Sequence, residues 1–301
     1  MKLFSDLSPR RCRFVLLCMA LAAPMSAAAS GTATIAAAAP ALARQPLPAF
    51  SKLQLDGAFD LQLQADSSST LELPAGRVRA WVEGETLHLM SPVGTAVASE
   101  LGLSERPSVR VHHPAGQLQS IELRGSSQVQ IGSLQLERLR LLLSGSGSLR
   151  VERVTASQLD LAVHGSGSLQ LGQVQAQQLS LNLTGSGGVQ ITALQADQLE
   201  AKLRASGDVT VRSGRASQQS WLLSGSGDVK AAGLHGQRLR LRSFGSGDAE
   251  LGAMEQLQLS VYGSGDVSYG GQPALQLWLP GSGSVRARSE PGASTATAAQ
   301  P

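Results

Sequence analysis

The sequence predicts an all-β fold, a parallel β-helix of about nine coils, each of roughly 18–20 residues, with a β-strand region before it. Three observations predict it. The tripeptide Gly-Ser-Gly, or a one-residue variant, begins at Gly125, Gly145, Gly165, Gly185, Ala205, Gly225, Gly245, Gly263 and Gly281, giving six intervals of twenty positions and then two of eighteen. Within each interval apolar residues alternate with polar ones, as in short strands with one face inward. Equivalent positions of successive intervals hold residues of one kind, the signature of stacked repeats.

The chain begins with what reads as a secretory signal over residues 1–29. Lys2, Arg10, Arg11 and Arg13 make a basic start and residues 14–23 an apolar run, with Ala-x-Ala sites ending at Ala29 and at Ala43, so cleavage falls at one or the other. The run is shorter than the ~20 residues a membrane-spanning helix needs. The protein is therefore expected to be exported, to the periplasm, the outer surface or the medium, and not to be transmembrane. Cys12 and Cys18 are the only cysteines; both lie in the signal, leaving a mature chain without disulfides. Residues 30–49, rich in Ala and Pro, read as a linker.

Residues 50–124 carry the first strands. Residues 50–56 and 58–64 alternate apolar and polar residues on either side of the turn signal Asp56-Gly57. Further strands are expected at 71–73, 78–82, 86–90, 108–112 and 118–123, with a loop or short helix over 91–107.

The repeats occupy 125–288. Counting each motif's first residue as zero, position four is Val129, Leu149, Leu169, Val189, Val209, Val229, Ala249, Val267 and Val285. In the 20-residue repeats, positions 14, 16 and 18 are apolar again, as in Leu159, Leu161 and Val163. One coil cannot bury its inner face alone, so coils must stack about 4.8 Å apart, each pairing its backbone with the next. The coil from Ala205 departs most, with Gly214 and Gln219 in apolar columns and Trp221 at position 16 above Ala201. Trp221 is expected to fill the space left by Ala201 and Gly214. Residues 289–301 read as a disordered tail.

Rival repeat folds fail on counting. Hexapeptide helices need a period that is a multiple of six, which twenty is not. A membrane barrel needs aromatic girdles, and aromatics are 3% of this chain. A calcium-binding nonapeptide roll orders its glycines differently.

The opening from Phe50 through Asp56-Gly57-Ala58-Phe59, then Val109-Arg-Val-His-His-Pro and Ile121-Glu-Leu-Arg-Gly-Ser leading into Gly-Ser-Gly-Asp repeats, resembles the bacterial GIN-domain family, described as an auto-transporter adhesin head. The resemblance covers residues 50–288. It implies a right-handed helix like that of pectin lyases without their catalytic residues, and a role in adhesion. Ser148, Ser168, Gly188 and Ser284 stand where that family often has Asp.

Candidate sites are few. Asp208, Asp228, Asp248 and Asp266 occupy position three of consecutive coils, as corner caps bonding nearby amides or, alternatively, as a ladder that attracts a cation. Capping is the expected role, so no metal or cofactor is called for. His88, His112, His113, His164 and His235 have no metal-ligand spacing, and no ordered Ser/His/Asp set stands out, so no enzyme is expected. Phe244, Tyr262, Tyr269 and Trp278 gather in the last coils and are expected to pack in the core or cap the end. A formal charge of +3 without a basic run in the repeats argues against nucleic acid. The expectation is an exported, non-enzymatic protein contacting a protein or glycan at the cell envelope, with glycan binding or processing and a structural periplasmic role as alternatives. Open strand edges leave room for a homo-oligomer, although charge on Val285-Arg-Ala-Arg288 reads as protection against end-to-end growth.

Overall fold

The computed structural model describes residues 43–66, 68–74, 78–91, 106–114 and 116–288. The expected signal at 1–29, most of the expected linker, residues 92–105 of the expected loop and the expected tail at 289–301 lie outside the described residues. Among the described residues nineteen strands form one sheet. In chain order they are β1 (Ala43–Pro46), β2 (Lys52–Gly57), β3 (Asp60–Ala65), β4 (Thr70–Leu73), β5 (Arg79–Glu83), β6 (Thr86–Met90), β7 (Ser108–His113) and β8 (Ser120–Gly125). The repeats add β9 (Gln128–Gly145), β10 (Ser148–Gly165), β11 (Ser168–Gly185), β12 (Gly188–Ala205), β13 (Val209–Leu223), β14 (Val229–Ala231) and β15 (Leu234–Ser243). The last are β16 (Ala249–Val261), β17 (Val267–Gly270), β18 (Ala274–Trp278) and β19 (Val285–Ala287).

From β9 onward every pairing is parallel, coil upon coil up to β18 and β19, a β-solenoid of about eight turns. Nine corner motifs bound eight full coils, which is why the count of motifs exceeds the count of turns by one. Pairing between β10 and β11 skips Glu152 and Ser157. These corners divide each coil into three segments, and alternation restarts after each. The inward residues of one coil are Leu149 and Val151, then Val154 and Ala156, then Leu159, Leu161 and Val163, all buried. Their stacked columns form one core running from Phe50 to Val267.

The shortening of the coil falls at one place. Ala231 pairs with Leu251, twenty positions on, but Gly236 pairs with Met254, only eighteen on. The deletion lies between the first and later segments, so neither the Gly-Ser-Gly corner nor the long third segment changes.

Below the repeats, order in space departs from order in sequence. β8 and the start of β9 rest on β2 and β3, which in turn rest on β6 and β7. Residues 50–124 therefore supply two more partial layers of the same helix, with Gly57 beneath Gly125 beneath Gly145. The antiparallel strands β4 and β5 cover those layers, lying along β7 and β6. The expected linker ends differently: Ala43–Pro46 is a strand, pairing antiparallel with β4. Four residues at an edge need only backbone partners, so no apolar alternation marked them.

Two side chains hold this base together. The Ser127 hydroxyl donates to the Gly57 carbonyl (2.9 Å) and accepts from the Phe59 N–H (3.2 Å), bridging to a corner that lacks the Gly-Ser-Gly motif. His113 is buried, its Nδ1 2.7 Å from the Pro114 carbonyl and its Nε2 2.8 Å from that of Phe50, whose ring it meets edge-on.

Candidate functional site

Three features outside the core are candidates: the corner column, the outer faces and the last coils. At the corners of β10 and β11, the ladder is backbone only. The Ser148 N–H donates to the Ser127 carbonyl and the Ser168 N–H to that of Gly147, at 3.0 and 3.1 Å. Gly145 has φ of 125°, and a Cβ on it would collide with the Gly125 backbone; only glycine serves there.

In the aspartate coils a side chain replaces that carbonyl. The N–H groups of Asp228, Asp248, Asp266 and Ser284 donate to Oδ1 of Asp208, Asp228, Asp248 and Asp266 respectively, at 2.8–2.9 Å. The Ser284 hydroxyl also donates to Asp266. The Ser284 backbone bond first, and its hydroxyl second, hold the Asp266 carboxyl below its ordinary value. The structure thus links the four carboxylates in one column, each occupied with the amide of the coil above. Among the described residues, no three His, Cys, Asp or Glu side chains gather as a metal ion would require. Of the histidines, His113 is committed to backbone carbonyls, His88 stacks on Trp81 and His164 bonds Thr184 one coil up. His112 lies 3.5 Å from Asp66.

The outer faces hold what sequence reasoning missed. An open groove of about 890 Å³ crosses five coils along positions 13 to 15 of the 20-residue coils and the matching positions 11 to 13 of the two 18-residue ones. Its walls include Gln198, Gln218, Arg238 and Gln256 on one side and Glu200, Arg240, Gln258 and Gln276 on the other. Carboxamides and guanidinium groups thus recur at the coil spacing, each able to donate, with a single acidic residue among those eight. The signal was present as Gln at position 13 of successive coils, but concavity is a property of the stack. A second depression of about 460 Å³ contains Asp208 with Gln190, Thr210 and Lys230.

The last coils overturn one expectation. Phe244, Tyr262 and Trp278 are exposed, at 52%, 47% and 63%, and only Tyr269 packs against the core. Phe244 and Tyr262 stack on each other with centroids 4.7 Å apart and planes 7° apart. They stand in the outward column just before the corner glycine, where nothing can enclose them. Each ring spends one face on the other, leaving its outer face and edges toward solvent.

The sequence marked Gln219 as an outlier but missed what it bonds to. It is buried in a column otherwise filled by Leu199 and Leu239, directly below the latter. Its Oε1 accepts the indole N–H of Trp221 at 3.2 Å and its Nε2 donates to the Ala216 carbonyl at 3.3 Å. Trp221 is 1% exposed and sits over Ala201, as expected.

The chain matches the family described as "Putative auto-transporter adhesin, head GIN domain" over residues 49–213 and 171–273. Among curated proteins none matches. Crystal structures with a similar fold include a "putative adhesin" from Parabacteroides distasonis ATCC 8503, 21% identical, covering 82% of this chain and 96% of that one, with a TM-score of 0.56. A "putative lipid binding protein" from the same organism is 20% identical over 84% and 98% of the two chains, with a TM-score of 0.59. A "putative adhesin" from Parabacteroides merdae ATCC 43184 is 15% identical over 82% and 95%, with a TM-score of 0.53.

Proposed function

Since the chain belongs to the head GIN-domain family, we propose that it is an exported, non-enzymatic contact protein that engages a surface or partner along the groove of its third segment. The family's description as an adhesin head points to contact with other surfaces. The observation that carries the reading for this chain is the five-coil row of Gln198, Gln218, Arg238, Gln256 and their neighbours. Such a row offers repeated donors at about 4.8 Å along the axis, which suits an extended polar polymer rather than a small substrate. Catalysis of glycan cleavage would call for a close pair of acid and base residues, and among the described residues Glu200 is the only carboxylate lining this groove.

The test compares adhesion of cells lacking the protein, cells restored with it, and cells restored with Arg238→Glu/Arg240→Glu. Protease shaving of intact cells runs in parallel. The expected result is surface-accessible protein whose loss, or whose charge-reversed groove, lowers adhesion several-fold. Protein shielded from protease in intact cells, or adhesion unchanged in all three, overturns the reading. Release of short fragments from envelope glycan by the purified protein would favour processing instead.

A further inference from the structure

The two ends of the helix are finished differently. At the base, the outermost strands are β1 and β5, which carry Pro46, Arg79 and Glu83. Proline and charge on an edge discourage further pairing. At the other end, the three core columns of the third segment stop bare. Leu257, Leu259 and Val261 are buried, but Leu275, Leu277 and Leu279 one coil above are 38%, 43% and 41% exposed. Among the described residues β18 pairs only with β16, so its other edge is free. Its sequence, Ala-Leu-Gln-Leu-Trp, contains neither charge nor proline. The charge expected to protect this end lies on the other side of the coil, at β19. There Arg288 turns down to donate to the Leu251 carbonyl (2.9 Å), leaving β18 unguarded.

We propose that this end is the interface of a two-fold dimer, in which β18 of one copy pairs antiparallel with β18 of a second. The edge is complementary to itself. A two-fold axis through Gln276 sets Leu275 opposite Leu277 of the second copy and Ala274 opposite Trp278. The leucine columns of one core then continue into the other, and the free backbone groups of both edges are satisfied. A second copy is favoured over the chain's own tail, because residues 289–301 contain no Leu, Ile, Val, Phe, Met or Trp to lay on the three leucines. An isologous contact uses the same end of both copies, and the guarded base offers no second site, so assembly stops at two.

The test is the mass of the full processed chain by size-exclusion chromatography with light scattering, across roughly 1 to 100 µM, the range in which a contact of moderate strength is populated. The expected result is twice the chain mass, with Leu277→Lys shifting the protein to the monomer while its melting temperature holds. Gln276→Cys, as the sole cysteine of the processed chain, is expected to give a covalent dimer on mild oxidation, and Gln178→Cys on the flank is not. A wild-type protein monomeric throughout, or a Leu277→Lys variant as dimeric as wild type, overturns the proposal. So does a chain ending at Arg288 that dimerises where the full chain does not, since the tail would then be the occupant.

Discussion

The lower coils, β9 to β12, and the upper coils, β13 to β19, solve one corner in two ways. Each lower strand runs unbroken through 18 residues, and the first glycine of each corner motif from Gly125 to Gly185 has positive φ. The upper strands are shorter, β13 with 15 residues and β16 with 13 being the longest, and none of Gly225, Gly245, Gly263 and Gly281 has positive φ. Between them the position-three residue changes from Gln, Ser or Gly to Asp. The carboxylate takes the amide that a carbonyl takes below, so the backbone is released from the glycine-only conformation. At the base the Ser127 hydroxyl also accepts an amide, that of Phe59, and bridges to the Gly57 corner, although Gly57 and Gly125 there keep positive φ. A repeat can therefore keep its ladder whole through either backbone geometry or a side chain, and the choice is local to each coil.

The seam between the two regions is the Trp221 layer, and the largest effect is expected there. Ala205 replaces the corner glycine, Gly214 the column leucine, and Trp221 with Gln219 occupies the interior. Trp221→Ala should lower stability by about 3–5 kcal/mol, since truncating a buried Trp leaves a cavity that the stacked coils above and below hold open. It also leaves Gln219 without its indole donor. Denaturant titration checks this, and an unchanged midpoint would show that upper and lower coils do not depend on one well-packed joint.

A smaller effect isolates the corner itself. Asp228→Ala removes the acceptor of the Asp248 N–H and should cost about 1–2 kcal/mol, the range for a hydrogen bond to a charged group moderated by exposure. The matching change below, Ser148→Ala, should cost almost nothing, because the lower ladder bonds backbone to backbone. Equal costs would remove the distinction between the two corner types. The aspartates also carry a pH signature. The Asp266 carboxyl is held below its ordinary value by Ser284, so its contribution is complete above the unfolded value, ~3.9, and is lost as pH falls through the lowered folded value. The melting difference between wild type and Asp266→Ala should accordingly shrink on going from pH 6 to acid below about pH 3.

How much of this was legible follows from what repeats. Position four and positions 14, 16 and 18 recur in register, so columns such as Leu159 over Leu139 could be read from spacing alone. The capping role of the aspartates was legible too, from residue type and corner, but not that the bonded amide belongs to the next coil. Features that occur once were not legible. The layer formed by β2 and β3 has its corner at Asp56-Gly57-Ala58-Phe59, without the motif, and enters the stack out of sequence order. Gln219 read as an outlier in a leucine column because its partner, Trp221 Nε1, is defined only once the ring is placed. The groove is lined by five coils, and no single coil contains it.

The last difference between the regions lies inside the core. Position 18 is Leu143, Val163, Leu183 and Leu203 in the lower coils, all buried and apolar. In the upper coils the same column reads Leu223, Ser243 and Val261, and among the described residues the buried Ser243 hydroxyl has no hydrogen-bond partner. A hydroxyl taken from water and left unpaired opposes folding, whereas the methyl of alanine does not. Ser243→Ala should therefore raise stability by about 1 kcal/mol or slightly less, the lost desolvation offset by little lost packing. The melting temperature should rise without any change in the Trp221 or Asp228 effects, since the column at position 18 touches neither bond. A fall instead would mean that the hydroxyl has a partner in solution, most simply a buried water, and that the upper core is wetter than the lower.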